Sequence, residues 1–190
     1  CAESFSQEAL NVFAKKKAVR LLRCNYSLLE RYRNESSYNI RSFFNKLLVQ
    51  TNDYGVLELE TLEVVSERGI DGISRSDLEL AWITSKHVKS NAITIVKDGC
   101  VVGVGAGQMS RVDAAKLAIA RAREHGHDIS GSIAASDAFL PFSDTLTVLA
   151  EAGVTTLLQP GGSIKDKDVI SSANELKVAM LFTGRRHFRH

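Results

Sequence analysis

The feature that most constrains the fold is an alternation of β-rich and helical runs in the second half of the chain. Residues 92–96 and 100–104 are β-branched, apolar runs, and Asp98-Gly99 between them is typical of a tight β-hairpin turn. Further strands are predicted at residues 132–135, 154–158 and 178–182, and helices at 110–125, 143–152 and 166–176. A hairpin followed by alternating helices and strands predicts an α/β fold, a three-layer α-β-α arrangement with a mixed sheet between helices.

Two helix starts in this half carry capping signals. Ser74 can cap a helix whose apolar stripe is spaced at helical intervals and contains Leu78, Ala81, Trp82, Ser85 and Val88. Ser110, with Asp113 three residues later, resembles a capping box. Both helices are therefore expected to begin where these serines stand.

The first part of the chain is less regular. Ser4 and Gln7 predict a capping box before a helix that carries Leu10, Phe13 and Ala14, and strands are predicted at residues 18–24, 40–50 and 56–65. We interpret residues 1–72 as a connecting arm, the end of a preceding unit, and residues 73–190 as the main domain.

Charge, hydropathy and cysteine content limit the classes of partner and the cellular location that we expect for this chain. The 190 residues contain 24 Lys and Arg against 22 Asp and Glu, a net charge of +2. This charge is too small for a nucleic-acid surface unless the positive charge is gathered on one face, and such gathering occurs at the C-terminus. No apolar run reaches the length of about 20 residues that a membrane helix requires. Three widely spaced cysteines without a CxxC motif predict free thiols and a cytoplasmic protein. The first residue is Cys rather than Met, so we expect a processed or cloned fragment of a longer chain.

Three loops could hold a ligand. The GVGAGQMS run at 103–110 leads from a strand into a helix, as anion-binding loops do, but its GxGxG spacing is not a dinucleotide fingerprint and also suits a tight turn. The QPGGS run at 159–163 follows a strand at the edge where ligands usually bind, or is a plain turn. The SDAFLPFSD run at 136–144 offers carboxylates and aromatic rings, or a hydrophobic plug.

The C-terminal tail and one helix end also carry candidate groups. Residues 185–190 hold three arginines and two histidines, and Phe188 among them indicates a docked tail that could bring an arginine to a phosphate. Lys86 and His87 form an acid–base pair in principle, but they are predicted on the outer face of their helix. The zinc deaminase signature, H-x-E with P-C-x-x-C, is absent from the sequence.

Five segments of the chain occur in an order that resembles a known family. The segments are KSNAI at 89–93, GVGAGQMSR at 103–111, SDAFLPF at 136–142, QPGGS at 159–163 and FTGRRHFRH at 182–190. Together they resemble the C-terminal half of the AICAR transformylase domain of the bifunctional purine-biosynthesis enzymes that also carry IMP cyclohydrolase. The resemblance is dense from about Lys86 to His190 and looser before Gly72.

The resemblance implies a cytidine-deaminase-like fold without zinc, and transfer of a formyl group from 10-formyltetrahydrofolate to AICAR. It implies AICAR contacts by Asn91, Arg111, Phe139 and Arg186, with Asn91 in a supporting catalytic role. It implies folate contacts by Val112, Asp144, Ser163 and Ile164. A carboxylate such as that of Asp144 can accept the N–H donors of a pterin. No metal is implied, and a homodimer or an association with the missing N-terminal half is expected.

The sequence departs from the family pattern in two places. The family's catalytic lysine–histidine pair lies in an upstream F-K-H-V-[S/G]-P-A-G motif that this chain lacks. Lys86-His87 is followed by Val88-Lys89-Ser90 instead, so we do not assign the catalytic roles to it. Ser143 stands where the family often has an arginine, which affects the expected folate contacts.

Three hypotheses follow. The chain is part of a folate-dependent formyltransferase and is expected to be incomplete and inactive alone. Alternatively, it is a non-catalytic nucleotide- or folate-binding or assembly module. A stand-alone deaminase relative is disfavoured because the zinc ligands are missing.

Overall fold

A computed structural model of the protein describes residues 1–16, 18–28 and 38–189. It divides the chain into two compact units, Cys1–Gly55 and Val56–His190. Residues 56–72, which the sequence assigned to the arm, therefore group with the second unit. The last residue of the tail motif, His190, lies outside the described residues, as do residues 29–37 of the expected arm.

The first unit contains one short helix and one hairpin. Helix α1 spans Gln7–Ala14, and Ser6, rather than Ser4, is its cap, because the Ser6 side chain accepts from the Ala9 N–H. Strands β1 (Tyr38–Phe43) and β2 (Lys46–Thr51) pair antiparallel. No described residue of this unit is buried.

The strands predicted in the first 65 residues are largely wrong. The expected strand at 40–50 is interrupted by a turn at Phe44, whose φ is 51°, because a turn without glycine gives no recognisable signal. Residues 18–24 form no strand and contribute only an isolated bridge between Ala2 and Arg23. Within residues 56–65 the structure has a 3₁₀ turn at Leu59–Thr61 and a two-residue strand, β3, at Glu63–Val64.

The second unit is built on a six-stranded sheet in the order β3-β8-β7-β6-β4-β5. After β3 the elements are, in chain order, α2 (Arg75–His87), β4 (Ile93–Lys97), β5 (Cys100–Gly105), α3 (Arg111–Glu124), β6 (Ile133–Ser136), α4 (Asp144–Glu151), β7 (Thr156–Gln159), α5 (Asp166–Glu175) and β8 (Ala179–Phe182). Strands β6, β7 and β8 are parallel, and β4 is antiparallel to both β5 and β6. The sheet is therefore mixed, as the sequence predicts.

Helices cover both faces of this sheet. Successive strand residues alternate between two apolar clusters: Leu157 and Met180 pack with α3, α4 and α5, whereas Leu158 and Leu181 pack with α2. This alternation is the period of two that a strand buried on both faces requires. The three-layer α-β-α fold is confirmed, and its helices and strands after residue 74 match the predicted ranges within two residues.

The two helix caps predicted in this unit are present in the structure. The side chains of Ser74 and Ser110 accept from the N–H groups of Asp77 and Asp113, three residues on. The stripe predicted for α2 is buried at Leu78, Ala81, Trp82 and Ser85. Local sequence and tertiary packing therefore agree at both helix starts.

Candidate functional site

The predicted ligand-binding segments meet at one edge of the sheet. Ile93, at the start of β4, pairs with Gly105 at the end of β5 and with Ser136 at the end of β6. Gln159, at the end of β7, pairs with Phe182 at the end of β8. We call this the site edge: the residues just before β4 and those just after β5, β6, β7 and β8. Ligands commonly bind at such an edge of an α/β sheet.

Two glycines within β5 allow helix α3 to pack closely against this strand. A Cβ added at Gly103 would lie 2.5 Å from the carbonyl oxygen of Ala118, and one at Gly105 would overlap the backbone of Ala114. The N–H groups of Gly107 and Gln108 donate to the carbonyls of Lys89 and Asn91, at 2.7 and 3.4 Å. These donors are used within the protein, so the tight-turn interpretation of the run is favoured over an anion-binding loop.

Asn91 is held against this turn. Its Nδ2 donates to the carbonyls of Gln108, at 3.0 Å, and Met109, at 3.1 Å. The backbone N–H of Asn91 also donates to the Gln108 carbonyl at 3.3 Å. Because both amide hydrogens have partners, Oδ1 is the side-chain atom that can accept from a ligand.

Arg111 begins α3 and contacts a buried carboxylate. Its Nη2 lies 3.4 Å from Oδ1 of Asp137, and the two side chains are 14% and 1% exposed. Among the described residues, neither Arg111 Nε nor Asp137 Oδ2 has a hydrogen-bond partner, although both atoms are buried. The ion pair holds the guanidinium near the site edge and leaves it with donors that a ligand can use.

The loop after β6 carries Phe139, which is half-buried. A buried glutamine supports this loop: Oε1 of Gln159 accepts from the N–H of Leu140 at 3.0 Å, and Leu140 is fully buried. Phe142, three residues beyond Phe139, is 62% exposed. The loop is thus both a hydrophobic plug, at Leu140, and a source of accessible aromatic surface, so the two interpretations apply to different residues.

The residues expected at the folate site lie at two helix starts and in one loop. Val112 lies in the first turn of α3 and is half-buried, and Asp144 begins α4 with its Oδ1 accepting from the Thr145 N–H at 2.7 Å. Ser163 lies in the loop after β7, where its Oγ accepts from the Lys165 N–H, and Ile164 beside it is fully exposed. All four follow strands that end at the site edge.

The QPGGS loop is a tight turn that satisfies its own donors. Oδ2 of Asp166 accepts from the N–H groups of Gly162 and Ser163, at 2.7 and 3.1 Å. Gly161 has φ of 72°, and a Cβ there would lie 2.6 Å from the ring of Phe182. The turn interpretation is favoured for the glycines, and it brings the side chains of Ser163 and Ile164 to the site edge.

The C-terminal tail is docked along the same edge. The N–H groups of Thr183 and Gly184 donate to the carbonyls of Gln159 and Pro160, and the N–H of His187 donates to the Asp137 carbonyl at 2.8 Å. The buried His187 ring lies edge-on to Trp82, with centroids 4.6 Å apart. Arg186 is exposed, with its guanidinium 6.0 Å from the centre of the Phe188 ring.

Lys86 and His87 lie at the end of α2. The Lys86 ammonium lies 5.5 Å from the Trp82 ring, and His87 is exposed, with its carbonyl accepting from Arg189. These contacts agree with the outer-face interpretation for His87, whereas Lys86 is half-buried against Trp82.

Other features of the described residues lie elsewhere. A groove of about 400 Å³ between α3 and α4, lined by Lys116, Arg123 and Glu151 among others, contains none of the predicted site residues that the structure describes.

Within the described residues, no group of three His, Cys, Asp or Glu side chains could hold a metal ion. No helix in the described ranges is long and apolar enough to cross a membrane. The three cysteines are free thiols.

Sequence reasoning gave no supporting role to four residues within its own predicted segments. Asp137, Gln159, His187 and Arg189 each hold a loop or side chain at the site edge. A polar residue at the end of an apolar strand, as Gln159 is, was the available signal, because a buried amide requires partners. Asp137 and Arg111 are 26 residues apart in sequence, so their pairing had no local signal.

The second unit is an α/β unit whose predicted ligand-binding segments meet at the site edge. Residues 1–121 match the model of the AICARFT/IMPCHase bienzyme family, and the chain belongs to this family. The chain is 48% identical over 189 residues to the bifunctional purine biosynthesis protein PurH of Anoxybacillus flavithermus, covering 100% of this chain and 36% of that protein. It is 47% identical to the protein of the same name from Roseobacter denitrificans, covering 96% of this chain and 35% of that protein. The chain thus spans about a third of these relatives.

Solved structures with some similarity include deaminases. A dCMP deaminase from cyanophage S-TIM5 is 20% identical with a TM-score of 0.36, covering 47% of this chain and 76% of that chain. A deaminase/reductase from Thermotoga maritima, also 20% identical, has a TM-score of 0.38, covering 54% of this chain and 33% of that chain.

Proposed function

We propose that this chain is the C-terminal half of an AICAR transformylase domain and supplies its AICAR contacts and part of its folate contacts. The observation that carries the proposal is the convergence of five separate segments on the site edge. Family membership supports it, since relatives of the chain are bifunctional purine biosynthesis proteins.

The nucleotide is proposed to bind between the start of β4 and the tail. Oδ1 of Asn91 would accept from the amine or the carboxamide of AICAR. The guanidinium of Arg111, held by Asp137, and that of Arg186 would donate to its oxygens, as a planar fork with several donors can. The ring of Phe139 would pack against the heterocycle.

The folate is proposed to bind beside it. Asp144 Oδ1 is used by the Thr145 N–H, so Oδ2 is the atom proposed to accept from the pterin. The exposed side chain of Ile164 offers apolar surface, and the half-buried Val112 lines the same edge. Ser143, at the cap of α4, makes no side-chain capping hydrogen bond among the described residues, which leaves its hydroxyl to contribute where the family often has an arginine.

In the proposed reaction, the 5-amino nitrogen of AICAR forms a bond to the formyl carbon, and the bond from that carbon to N10 of the folate breaks. The amine loses a proton and N10 gains one. The amine is a poor nucleophile because its lone pair is delocalised toward the carboxamide, so transfer requires a base and stabilisation of the developing charge. Asn91 can stabilise charge but cannot act as the base, which the missing lysine–histidine motif is proposed to supply.

The proposed partner of the chain follows from the lack of a catalytic base at this site. A site without its base requires a second polypeptide surface, and we propose that this is the rest of the transformylase domain, in a homodimer of the whole. The free thiols agree with a cytoplasmic location.

The test is formyl transfer from 10-formyltetrahydrofolate to AICAR, followed by the folate absorbance change, with calorimetric titration of AICAR into the same samples. It compares this chain with the longer polypeptide that includes the lysine–histidine motif. We expect the chain alone to bind AICAR without transfer and the longer polypeptide to do both. Binding by both without transfer by either would favour the non-catalytic module instead. Absence of AICAR binding in both samples would refute the proposed function.

A further inference from the structure

The tail makes a second set of contacts, beyond Arg186, that the proposed function does not use. The N–H of Ser90 donates to the carbonyl of Arg189 at 2.9 Å, and the N–H of Arg189 donates to Oγ of Ser90 at 3.1 Å. Nη1 of Arg189 donates to the carbonyl of His87 at 2.6 Å. One tail residue thus makes three hydrogen bonds to residues 87–90, the segment directly before Asn91.

This segment is held on its other side by the turn after β5. The N–H of Gly107 donates to the Lys89 carbonyl, and Asn91 and Gln108 exchange backbone hydrogen bonds. Residues 89–91 therefore lie between the turn and the tail. The Asn91 side chain is bonded directly to the turn, through the carbonyls of Gln108 and Met109. Its backbone continues from Ser90, which is hydrogen-bonded to the tail.

The tail is docked to the sheet by residues upstream of Arg189. The upstream hydrogen bonds of Thr183, Gly184 and His187 hold the tail to the ends of β6 and β7, and His187 is 3% exposed. Arg189 itself is exposed. Its guanidinium adds one strong contact to His87, since a hydrogen bond from a charged donor is worth more than a neutral one. Loss of this contact should loosen residues 87–91 without unfolding the sheet.

We propose that Arg189 is a positioning residue that fixes residues 87–91 from the tail side and so sets the Asn91 side chain for the nucleotide. The inference rests on the proposed function for its ligand, but the fixing itself can be measured without any ligand. The contacts of Arg189 also couple two parts of the proposed AICAR site, because the tail that carries Arg186 is the same segment that holds Asn91 in place.

The experiment uses the full chain with Arg189→Ala, Arg189→Lys and, as a control for loss of one arginine, Arg123→Ala. Arg123 is exposed in the last turn of α3, at the end of that helix away from the site edge. Amide hydrogen exchange is measured first, without ligand. We expect Arg189→Ala to raise the exchange rates of the Ser90, Gly107 and Gln108 amides about tenfold, with Ile95 in β4 and the Trp82-monitored unfolding transition unchanged.

Calorimetric titration with AICAR then follows on the same variants. We expect Arg189→Ala to weaken AICAR binding about tenfold, and Arg189→Lys, which keeps a charged donor for the His87 carbonyl, to recover most of the affinity and the protection. Arg123→Ala should behave as the wild type in both measurements. Unchanged exchange in Arg189→Ala, or weakening of the same size in Arg123→Ala, would overturn the proposal.

The exchange measurement separates failure of the positioning role of Arg189 from failure of the proposed function. If the wild-type chain does not bind AICAR, the exchange rates still decide whether Arg189 fixes residues 87–91. Raised exchange would then support the fixing and refute its role in AICAR binding, whereas wild-type exchange would refute the positioning role altogether.

Discussion

The two compact units of this protein differ in how far side-chain packing determines their structure. In Val56–His190, two apolar clusters fill both faces of a six-stranded sheet, and residues such as Ile93 and Leu157 are fully buried. In Cys1–Gly55, no described residue is buried, and the β1–β2 hairpin exposes large apolar side chains such as Phe44 and Leu47. Among the described residues, only those of the second unit therefore enclose a core.

This difference explains where local sequence patterns determine the structure. A strand pattern is reliable when burial on a known face selects the register, because a slip of one residue would expose the whole apolar set. The second unit meets this condition and the first does not. Matched substitutions in the two units test this contrast.

Truncation of a leucine in each unit tests the contrast most strongly. Leu157→Ala should lower the free energy of unfolding by about 2–5 kcal/mol, because Leu157 is fully buried and leaves a cavity. Leu47→Ala should change it by no more than about 0.5 kcal/mol, since that side chain is 67% exposed. Urea unfolding followed by circular dichroism and by fluorescence of Trp82, the single tryptophan, measures both. Equal losses would show that the contrast is wrong.

A methyl group at Gly105 tests the close approach of β5 and α3. Gly105→Ala should cost about 3 kcal/mol, because the new Cβ overlaps the backbone of Ala114, which cannot move without shifting the helix. The matched control is Gly126→Ala, at a positive φ of 75° but with no atom within 4 Å, which should cost about 1 kcal/mol. The same unfolding assay applies. A loss at Gly105 no larger than that at Gly126 would mean that the helix can adjust.

Removal of one helix cap in each unit sharpens the comparison. Ser74→Ala should lower the stability of the second unit by about 1 kcal/mol, since the N–H of Asp77 loses its partner at the start of a helix that carries core residues. Ser6→Ala removes the same kind of bond from α1, which has no buried residue. We expect the Trp82 transition to shift only in the first variant. A shift of similar size with Ser6→Ala would show that α1 supports the core.

The smallest effect is expected at the surface ion pair of the second unit. The ammonium of Lys97, 2.8 Å from Oδ2, and the backbone N–H of Ser130 hold the pKa of Asp128 well below its usual range. A lowered carboxyl pKa adds stability above the unfolded value of about 4, and this stability is lost as the pH falls through the folded value.

Asp128→Asn should therefore lower stability slightly at pH 7, and the difference from the wild type should shrink as the pH falls below about 4. Thermal unfolding at several pH values measures this. Lys165 pairs with Asp168 at a more exposed position, and Asp168→Asn serves as the control with a smaller change. A difference at Asp128 that persists unchanged at low pH would contradict the assignment of the pKa shift.

Sequence alone could predict the second unit from residue 74 onward and the segments that lie at its site edge, whereas residues 56–72 were assigned to the arm. The Asp98-Gly99 turn, the caps at Ser74 and Ser110 and the alternating runs each determine local structure that the sheet also requires. They place the five predicted segments at strand ends. The mixed topology, with β4 antiparallel to β5 and β6 and with β6, β7 and β8 parallel, then brings those ends to one edge.

What could not be predicted depends on contacts between distant residues. The ion pair of Arg111 with Asp137 and the hydrogen bonds of Arg189 with Ser90 join segments that carry no sign of each other in sequence. The role of Gly103 and Gly105 was also hidden, because a glycine that admits a helix backbone and one that admits a phosphate look alike. In the first unit, the turn at Phe44 lacked the glycine by which hairpin turns are recognised.

The most direct test of the site edge is a titration of the isotope-labelled chain with AICAR, followed by the chemical shifts of the backbone amides. We expect the shifts that change to cluster just before β4 and just after β5, β6 and β8, at Asn91, Arg111, Phe139 and Arg186. The amides at the opposite edge, around Gly99 and Gly126, and those of the β1–β2 hairpin should not change. Shifts concentrated at that opposite edge or in the hairpin would contradict the assignment of the site.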